Sequence, residues 1–319
     1  MHTSQTATIA ANEPTPEKLQ GVPKYIAATR PPFLIASVLP VLIGIGAAWH
    51  THANFSLFTA LLTLIGAILA QGGINVLNDY YDHLNGTDEQ NTGRIFPFTG
   101  GSRFIQNKLL TPQQTLQFGL VLFGTTIAIG LILTFISGPE LIIIGLIGLF
   151  IGWAYSAPPI KLNSNGFGEL SVAFGFGIII PLGAAYVQTG TISMVPVYAA
   201  FAYALLVTNL LYINQFPDRE ADDKAGKHHL VVRLGPDIAK WGYLVIAAVA
   251  YLGLLALVLL EWLPALALLG LIAAPISMAA GLKLIWYANT PEKLAGAIQL
   301  TILSIVIEGI TITVAMSMA

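Results

Sequence analysis

Two short stretches concentrate the amides and carboxylates of an otherwise apolar chain: NVLNDYYD, residues 75–82, and NQFPDREAD, residues 214–222. In each stretch an asparagine is followed four residues later by an aspartate and then by a second aspartate. Steps of three and four residues place side chains on one face of a helix. Six residues share this arrangement: Asn75, Asp79, Asp82, Asn214, Asp218 and Asp222.

The chemistry that suits this set of side chains is cation binding. Four carboxylates that face one cavity repel each other, and they need cations in order to stay ionised together. Oxygen ligands of this kind suit Mg²⁺, which retains waters and joins carboxylates to a substrate phosphate. If the two stretches face each other, they would hold a diphosphate through bridging Mg²⁺ ions. We therefore expect all six residues to be metal ligands, and the two asparagines to contact substrate as well.

Basic residues follow each acidic stretch, as an anionic ligand requires. Arg103 and Lys108 come after the first stretch, and Lys224, Lys227 and Arg233 come after the second. Lys and Arg side chains form charge-assisted hydrogen bonds with phosphate oxygens. We expect these five residues to bind the diphosphate. The alternative is that they only fix the orientation of the chain in a membrane.

The rest of the chain predicts an all-α, polytopic membrane protein. Of its 319 residues, 55% are hydrophobic and only 9% are charged, whereas a soluble domain carries about 25% charged residues. A membrane-spanning helix needs about 20 largely apolar residues. By this criterion we predict nine transmembrane helices around a central cavity: 31–49, 55–78, 113–136, 139–156, 169–188, 193–215, 239–261, 263–284 and 296–317.

The positions of the basic residues predict the orientation of these helices. With nine crossings, all fourteen Lys and Arg residues fall on one side, which identifies that side as cytoplasmic. The N-terminus and both acidic stretches would then lie inside and the C-terminus outside a cell membrane. Residues 1–22 are polar and predict a disordered tail, and residues 23–319 predict the membrane domain. The net charge of −2 provides no attraction for nucleic acid.

These motifs resemble those of the UbiA superfamily of intramembrane prenyltransferases. Besides the acidic stretches, the resemblance includes ATRPPFL, GGSR, YSAPPIKL and GFGEL, and it covers nearly the whole chain. It implies nine helices, Mg²⁺, and transfer of a polyprenyl group from its diphosphate to an acceptor, commonly an aromatic ring. The segments NDYYD…G and GK…LVVRLG look most like those of 1,4-dihydroxy-2-naphthoate prenyltransferases of menaquinone synthesis. Pro217 departs from the arginine that we expect at this position in many of those enzymes.

The resemblance also directs attention to residues outside the two acidic stretches. Tyr155 and Lys161 lie in YSAPPIKL, and we expect them at the same cavity, where the Tyr155 ring would stabilise a cation or its hydroxyl bind diphosphate. Arg30 either binds the carboxylate of an acceptor acid or anchors the first helix. We expect mainly structural roles for Glu169, at a helix start, and for Glu308, in the middle of the last helix.

Glycines and histidines elsewhere carry expectations of a structural kind. Gly145, Gly148 and Gly152 lie on the fourth predicted helix, and we expect them to permit close helix packing. His228 and His229 lie in a basic loop, and we expect them to be solvated rather than to bind metal.

Two alternatives for the function remain open at this point. A related transferase would use the same ionisation chemistry with another acceptor, such as 4-hydroxybenzoate, a glycerophosphate ether lipid or haem. A protein of a different class, a cation-coupled transporter, would use paired carboxylates to bind ions between two halves of the molecule. Against the transporter, the predicted carboxylates lie at one membrane side instead of the midplane.

Overall fold

The computed structural model describes residues 13–51 and 55–319, and the secondary structure of this part of the chain is entirely helical. Short helices, such as Gly21–Ala28 and Thr87–Gln90, lie between longer ones. The longer helices, numbered here in chain order, are α1 Pro31–Thr51, α2 Leu57–Asn85, α3 Pro112–Ser137, α4 Glu140–Ala154, α5 Gly168–Thr189, α6 Phe201–Lys224, α7 Gly242–Leu259, α8 Ala265–Tyr287 and α9 Ala295–Met318.

Each of these helices overlaps one of the nine predicted segments, but α2 continues to Asn85 instead of 78, and α6 covers 201–224 instead of 193–215. They do not all meet the length and hydropathy requirements for crossing a membrane. Within the described ranges, seven helices are long and apolar enough to span one. The helix α4 has only 15 residues, and α6 carries the second acidic stretch along its C-terminal half. The chain is therefore a multi-pass membrane protein, while the nine crossings and their orientation stay predictions.

The main hydrophobic core lies among α1, α6, α7, α8 and α9. Its largest buried side chains come from all five helices and include Ile43, Leu206, Leu254, Leu284 and Ile305. On the outer surface, by contrast, large apolar side chains such as Phe135 and Leu259 are exposed. An apolar surface of this kind is stable in lipid, since there the driving force for burying it against water is absent.

Hydrogen bonds from tyrosines fix α6 within this core. The hydroxyl of Tyr203 donates to the main-chain oxygen of Ala36 in α1 at 2.8 Å. The hydroxyl of Tyr212 donates to the main-chain oxygen of Ala239, just before α7, at 2.7 Å. Buried polar groups in a bilayer need partners inside the protein. These two contacts therefore set the position of α6, and with it the position of the second acidic stretch.

Glycines allow close contact between the helices around the cavity. A Cβ placed on Gly44 of α1 would lie 2.4 Å from the main-chain oxygen of Pro181 in α5. A Cβ placed on Gly73 of α2 would lie 2.6 Å from the ring of Phe123 in α3. Any side chain at these two positions would push the helices apart, so glycine is required there for the packing.

The helix α9 carries a buried carboxyl group in its middle. Glu308 is fully buried, and neither of its carboxyl oxygens has a hydrogen-bond partner among the described residues. Gly270 of α8 leaves room for it, since a Cβ there would lie 2.8 Å from both oxygens. The contact with α8 agrees with the expected structural role, which stays a prediction.

The N-terminal segment from Glu13 onward contacts the rest of the chain. Glu13 is buried, and its carboxylate pairs with Arg94 in the connection between α2 and α3. The disordered tail predicted for residues 1–22 therefore does not include Glu13, because the ion pair with Arg94 holds this residue against a distant loop. Residues 1–12 lie outside the described ranges.

Candidate active site

The two acidic stretches lie near the C-terminal ends of α2 and α6, and they meet at one end of a cavity of about 520 Å³. Five of the six predicted ligands line this cavity: Asn75, Asp82, Asn214, Asp218 and Asp222. The sixth, Asp79, lies directly behind the wall, where a Cβ placed on Gly101 would lie 3.0 Å from its Oδ1 atom. The structure thus brings the two stretches together at one cavity, a contact that their spacing alone does not predict.

Lys227 joins the two stretches. Its Nζ atom lies 2.8 Å from Oδ1 of Asp82 on α2 and 3.2 Å from Oδ1 of Asp222 on α6. Burial acts to lower the pKa of Lys227, but the neighbouring carboxylates outweigh burial and raise this pKa above its ordinary value. The two carboxylates thus favour the charged form of the lysine at the polar end of the cavity. Of the five predicted phosphate-binding cations, it alone lines the cavity.

His229 contacts the carboxylate oxygen of Asp222 that Lys227 does not contact. Its Nε2 atom lies 3.1 Å from Oδ2 of Asp222, and its Nδ1 atom accepts a hydrogen bond from the main-chain N–H of Val232 at 3.4 Å. His229 is buried whereas His228 is exposed. The expectation of a solvated loop is therefore right for His228 and wrong for His229, because a short helix, Leu230–Leu234, turns the second ring inward.

The connection between α2 and α3 binds the other two aspartates through its main chain. The N–H of Ser102 donates to both carboxylate oxygens of Asp79, at 3.3 and 3.2 Å, and the N–H of Gly100 donates to Asp218 at 3.3 Å. Gly100 and Gly101 have φ angles of +76° and +73°, which glycine adopts without strain. The GGS sequence thus lets one loop contact both acidic stretches.

Three polar residues of this loop line the cavity and were not among the predicted site residues: Thr87, Asp88 and Asn91. Asp88 is buried and lines the cavity, and Asn91 donates from Nδ2 to Oδ1 of Asp218 at 2.6 Å. Burial raises the pKa of Asp88, and the carboxylates of Asp82 and Asp79 raise it further. The helical face of α2 does not extend to these positions, because α2 ends at Asn85 and the next residue, Gly86, has a φ angle of +79°. The sequence offered one indication of their role, namely that all three residues lie in a long loop directly after an acidic stretch.

Two further predicted residues line the cavity, and a third lies next to it. Arg30 and Tyr155 both belong to the wall. The guanidinium carbon of Arg30 lies 4.9 Å from the ring centroid of Phe33, and its buried Nε atom has no partner among the described residues. Glu169 is buried and accepts a hydrogen bond at 2.9 Å from Gln215, a wall residue. Arg30 therefore has an unused donor close to the cavity.

The remaining predicted site residues lie elsewhere. The guanidinium of Arg103 is buried and donates to the main-chain oxygen of Asp88. It therefore stabilises the α2–α3 loop without lining the cavity. Arg233 is exposed and donates to the main-chain oxygen of Asn165 at 3.1 Å. None of the following contributes to the cavity wall of the described chain: Arg103, Lys108, Lys161, Lys224 and Arg233.

The polar end offers oxygen donors that fit a divalent cation. The Oδ1 atom of Asn214 is buried and has no hydrogen-bond partner among the described residues. Asn75, by contrast, is satisfied, because it donates to the main-chain oxygen of Thr29 and accepts from Gln71. In the ranges described, no three acidic or histidine side chains already converge as a metal site. Lys227 lies between two of the carboxylates, those of Asp82 and Asp222.

The other end of the cavity is apolar and lies among α2, α3, α4 and α5. Along α2 the wall runs from Thr63 to Asp82, which is roughly 28 Å at the rise of an α-helix. This length is close to the thickness of the hydrocarbon core of a bilayer, about 30 Å. Its apolar wall includes Phe123, Ile127, Gly130, Ile144, Gly145, Gly148 and Ile179.

A polar end with carboxylates and the cations Lys227 and Arg30, continued by a long apolar channel, is a site for a molecule with a charged head and a hydrocarbon tail. A model of the UbiA prenyltransferase family matches residues 37–303. The chain belongs to this family. It is therefore an enzyme that transfers prenyl groups, and the UbiA match gives no support to the transporter alternative.

Named relatives agree with the family match. A 1,4-dihydroxy-2-naphthoate octaprenyltransferase of Mycobacterium tuberculosis (strain ATCC 25618 / H37Rv) is 33% identical over 81% of this chain and 84% of the relative. One with the same name from Bacillus subtilis (strain 168) is 31% identical over 72% of each chain. Solved structures of UbiA homologs share the fold. One from Archaeoglobus fulgidus, bound to GPP and Mg²⁺, has 17% identity and a TM-score of 0.61 over 91% of this chain and 99% of that one.

Proposed function

We propose that this enzyme transfers a polyprenyl group from an allylic polyprenyl diphosphate to 1,4-dihydroxy-2-naphthoate within the membrane, as a step of menaquinone synthesis. The observation that carries this proposal is a single cavity with two facing acidic stretches at one end and an apolar channel at the other. The names of the relatives from Mycobacterium and Bacillus support the choice of acceptor. We further propose that the polar end lies on the cytoplasmic side of a cell membrane.

Mg²⁺ is the proposed cofactor, as the structure of the Archaeoglobus homolog with GPP and Mg²⁺ suggests for the family. The residues that would hold it are the carboxylates of both stretches together with Asn214, whose carbonyl oxygen has no partner in the described chain. Asn75 would contact substrate or metal after releasing Thr29. When bound, Mg²⁺ neutralises charge on the diphosphate and makes it a better leaving group.

Lys227 supplies positive charge at the same place. It is buried between Asp82 and Asp222, so the two stretches are held together before the substrate binds. With a diphosphate in the cavity, the ammonium group has a third anionic neighbour in the phosphate oxygens. A cation fixed where negative charge develops stabilises the transition state more than the ground state. We propose that Lys227 is a catalytic residue in this sense.

The reaction begins when the bond between C1 of the prenyl group and the diphosphate oxygen breaks, and the electron pair leaves with the diphosphate. The prenyl group becomes an allylic cation, which the apolar walls shield from water. Tyr155, on the wall, faces this region and its ring stabilises a cation. The acceptor ring then forms a carbon–carbon bond with the cation. For dihydroxynaphthoate, carbon dioxide leaves from the attacked carbon and restores the aromatic ring.

Arg30 is the proposed partner of the acceptor's carboxylate. It lies on the cavity wall, and its buried Nε atom has no partner in the described ranges. A guanidinium group binds a carboxylate through two parallel hydrogen bonds. The acceptor would therefore approach from the side of α1, while the diphosphate binds between α2 and α6.

The apolar channel is the proposed site of the prenyl chain. Four of its residues, from α3 and α4, are also exposed at the surface: Ile127, Leu131, Ile142 and Leu146. We infer that the channel opens toward lipid between these two helices. A long hydrocarbon gains nothing by entering water, so the product would leave sideways into the bilayer.

The test is transfer by the purified protein in lipid. The protein is incubated with farnesyl or geranylgeranyl diphosphate and, separately, with dihydroxynaphthoate and 4-hydroxybenzoate, and the products are identified by mass spectrometry. We expect prenylated, decarboxylated dihydroxynaphthoate, loss of product with EDTA, and recovery with Mg²⁺. Prenylation of 4-hydroxybenzoate alone would show that the acceptor assignment is wrong. If neither acceptor is prenylated, the proposed function fails.

A further inference from the structure

The N-terminal segment places a carboxylate inside the connection between α2 and α3. Glu13 is 1% exposed, and its Oε1 atom accepts a hydrogen bond from Nε of Arg94 at 2.6 Å. The Nη2 atom of Arg94 also lies 2.6 Å from Oε1. The second oxygen, Oε2, accepts from Nδ2 of Asn107 at 3.1 Å. Both carboxylate oxygens are therefore used, and the segment before the first helix is fastened at two points of the loop.

Arg94 connects this contact to the second acidic stretch. Its Nη1 atom donates to the main-chain oxygen of Asn91 at 2.6 Å. Its aliphatic part packs on Gly100, where a Cβ would lie 2.6 Å from that of Arg94. Asn91 and Gly100 both donate to Asp218, and Thr99 of the same loop is a third donor. The position of Arg94 therefore determines whether Asn91 and Gly100 reach this aspartate.

Asn107 connects the contact to the first acidic stretch. Its main-chain N–H donates to the oxygen of Arg103 at 2.9 Å, which closes a turn, and Arg103 in turn donates to the main-chain oxygen of Asp88. The carboxylates of Asp88 and Asp79 lie on either side of Gly101, within 3.1 Å of where its Cβ would be. Glu13 is thus connected to the second acidic stretch through Arg94 and to the first through Asn107 and Arg103.

We infer that Glu13 is a positioning residue, and that the N-terminal segment keeps the α2–α3 loop in the shape that binds both acidic stretches. This inference rests on the proposed function, because the loop matters for activity only if the aspartates bind metal and diphosphate. Glu13 itself does not line the cavity. Its loss therefore weakens the binding of diphosphate and Mg²⁺ by loosening the loop, without removing a group that touches either one.

The variant Glu13→Gln keeps the shape of the side chain and removes its charge. Its matched control is Glu17→Gln, because Glu17 lies in the same segment and is exposed. We expect Glu13→Gln to raise KM for the prenyl diphosphate about tenfold, the size of effect that contacts behind a site commonly have. The Mg²⁺ concentration for half-maximal activity rises with it, and kcat changes less. Glu17→Gln stays within about twofold of the original protein, as surface charges do.

A double variant tests whether Glu13 acts through Arg94. Residues that act through one contact have non-additive effects, so Glu13→Gln combined with Arg94→Gln should be no worse than Arg94→Gln alone. Hydrogen exchange of residues 91–107 provides a readout without substrate. We expect faster exchange there in Glu13→Gln than in Glu17→Gln, and unchanged exchange in α7 and α9.

These readouts separate the two proposals. If the original protein prenylates neither acceptor, the proposed function fails, and hydrogen exchange still decides whether Glu13 holds the loop. Unchanged KM, Mg²⁺ dependence and exchange in Glu13→Gln would overturn the inference. If Glu13→Gln does not fold, Arg94→Lys is measured with the same expectations, since lysine keeps the charge but cannot make the contact with two nitrogens.

Discussion

At the polar end of the cavity every aspartate of the acidic stretches meets a cation or an N–H donor, whereas at the apolar end part of the wall is formed by glycines with no neighbour. Asp82 and Asp222 share Lys227, and Asp218 accepts from the α2–α3 loop. In the channel, a Cβ placed on Gly130 or Gly145 would have no atom within 4 Å. The polar end is shaped by contacts between charged groups and their partners, and part of the apolar end is open space because glycine has no side chain.

The two ends should therefore respond differently to substitution. At the polar end each contact supports another, so that removal of one group leaves a buried charge without a partner. At the apolar end, an added side chain only fills space that a ligand would otherwise occupy. Substitutions at the polar end should therefore affect all substrates, and substitutions at the apolar end should discriminate between substrates by size.

The largest effect is expected from removal of a carboxylate at the polar end. Asp82→Ala and Asp218→Ala should each lower kcat/KM by about a thousandfold, since each removes a ligand of the charge-stabilising site. The matched control is Asp223→Ala, because Asp223 is exposed and directly follows Asp222. Transfer rates are measured with product analysis by mass spectrometry. Normal transfer in either of the first two variants would contradict the assignment of the acidic stretches.

A smaller loss is expected when Lys227 is replaced. Lys227→Met keeps most of the side-chain volume but leaves Asp82 and Asp222 without their shared cation, and kcat/KM should fall about a hundredfold with every prenyl diphosphate. Lys224→Met is the control, because Lys224 is exposed, and it should stay close to the original activity. If Lys227→Met and Lys224→Met lose kcat/KM equally, the buried lysine has no larger role in the reaction than the exposed one.

The apolar end should respond selectively to the tail of the substrate. Gly130→Leu fills part of the channel, so kcat/KM should fall about tenfold for geranylgeranyl diphosphate, as for an overfilled cavity, and much less for geranyl diphosphate. Gly124→Leu lies on the same helix, where Gly124 is exposed and outside the wall, and it should affect neither. If Gly130→Leu lowers kcat/KM equally for geranylgeranyl and geranyl diphosphate, the apolar end does not discriminate between substrates by size.

The smallest effect is expected at the exposed cation of the α2–α3 loop. Lys108 was predicted to bind diphosphate, but it is exposed and lies outside the cavity wall. Lys108→Ala should change KM for the prenyl diphosphate by no more than about twofold, as surface charges do. A rise of tenfold or more would show that the loop brings this cation to the substrate.

The sequence predicted the parts of the site that lie on regular helices. Within α2 and α6 the spacing of side chains determines which of them share a face, and three of the four aspartates line one cavity, with Asp79 directly behind its wall. Contacts between distant segments do not follow from spacing. Asp88 and Asn91 lie beyond the end of α2, and the inward turn of His229 depends on packing against Asp222.

Residue type alone also did not show which cations line the cavity or which glycines of α4 pack against another helix. Five cations were predicted to bind diphosphate, and only Lys227 among them lines the cavity. The glycines of α4 were expected to pack closely, which is right for Gly148 and Gly152, whose added Cβ would lie 2.9 Å or less from an isoleucine. It is wrong for Gly145, which has open space in front of it. Burial and open space are properties of the folded chain.

The buried carboxyl of Glu308 has a consequence for how the protein enters the membrane during its synthesis. A helix with a carboxyl in its middle is inserted less readily than a fully apolar one. In the folded chain α8 covers this group, because Gly270 leaves room for it. We therefore expect the translocon to release α8 and α9 into lipid as a pair, and α9 expressed without α8 to insert inefficiently.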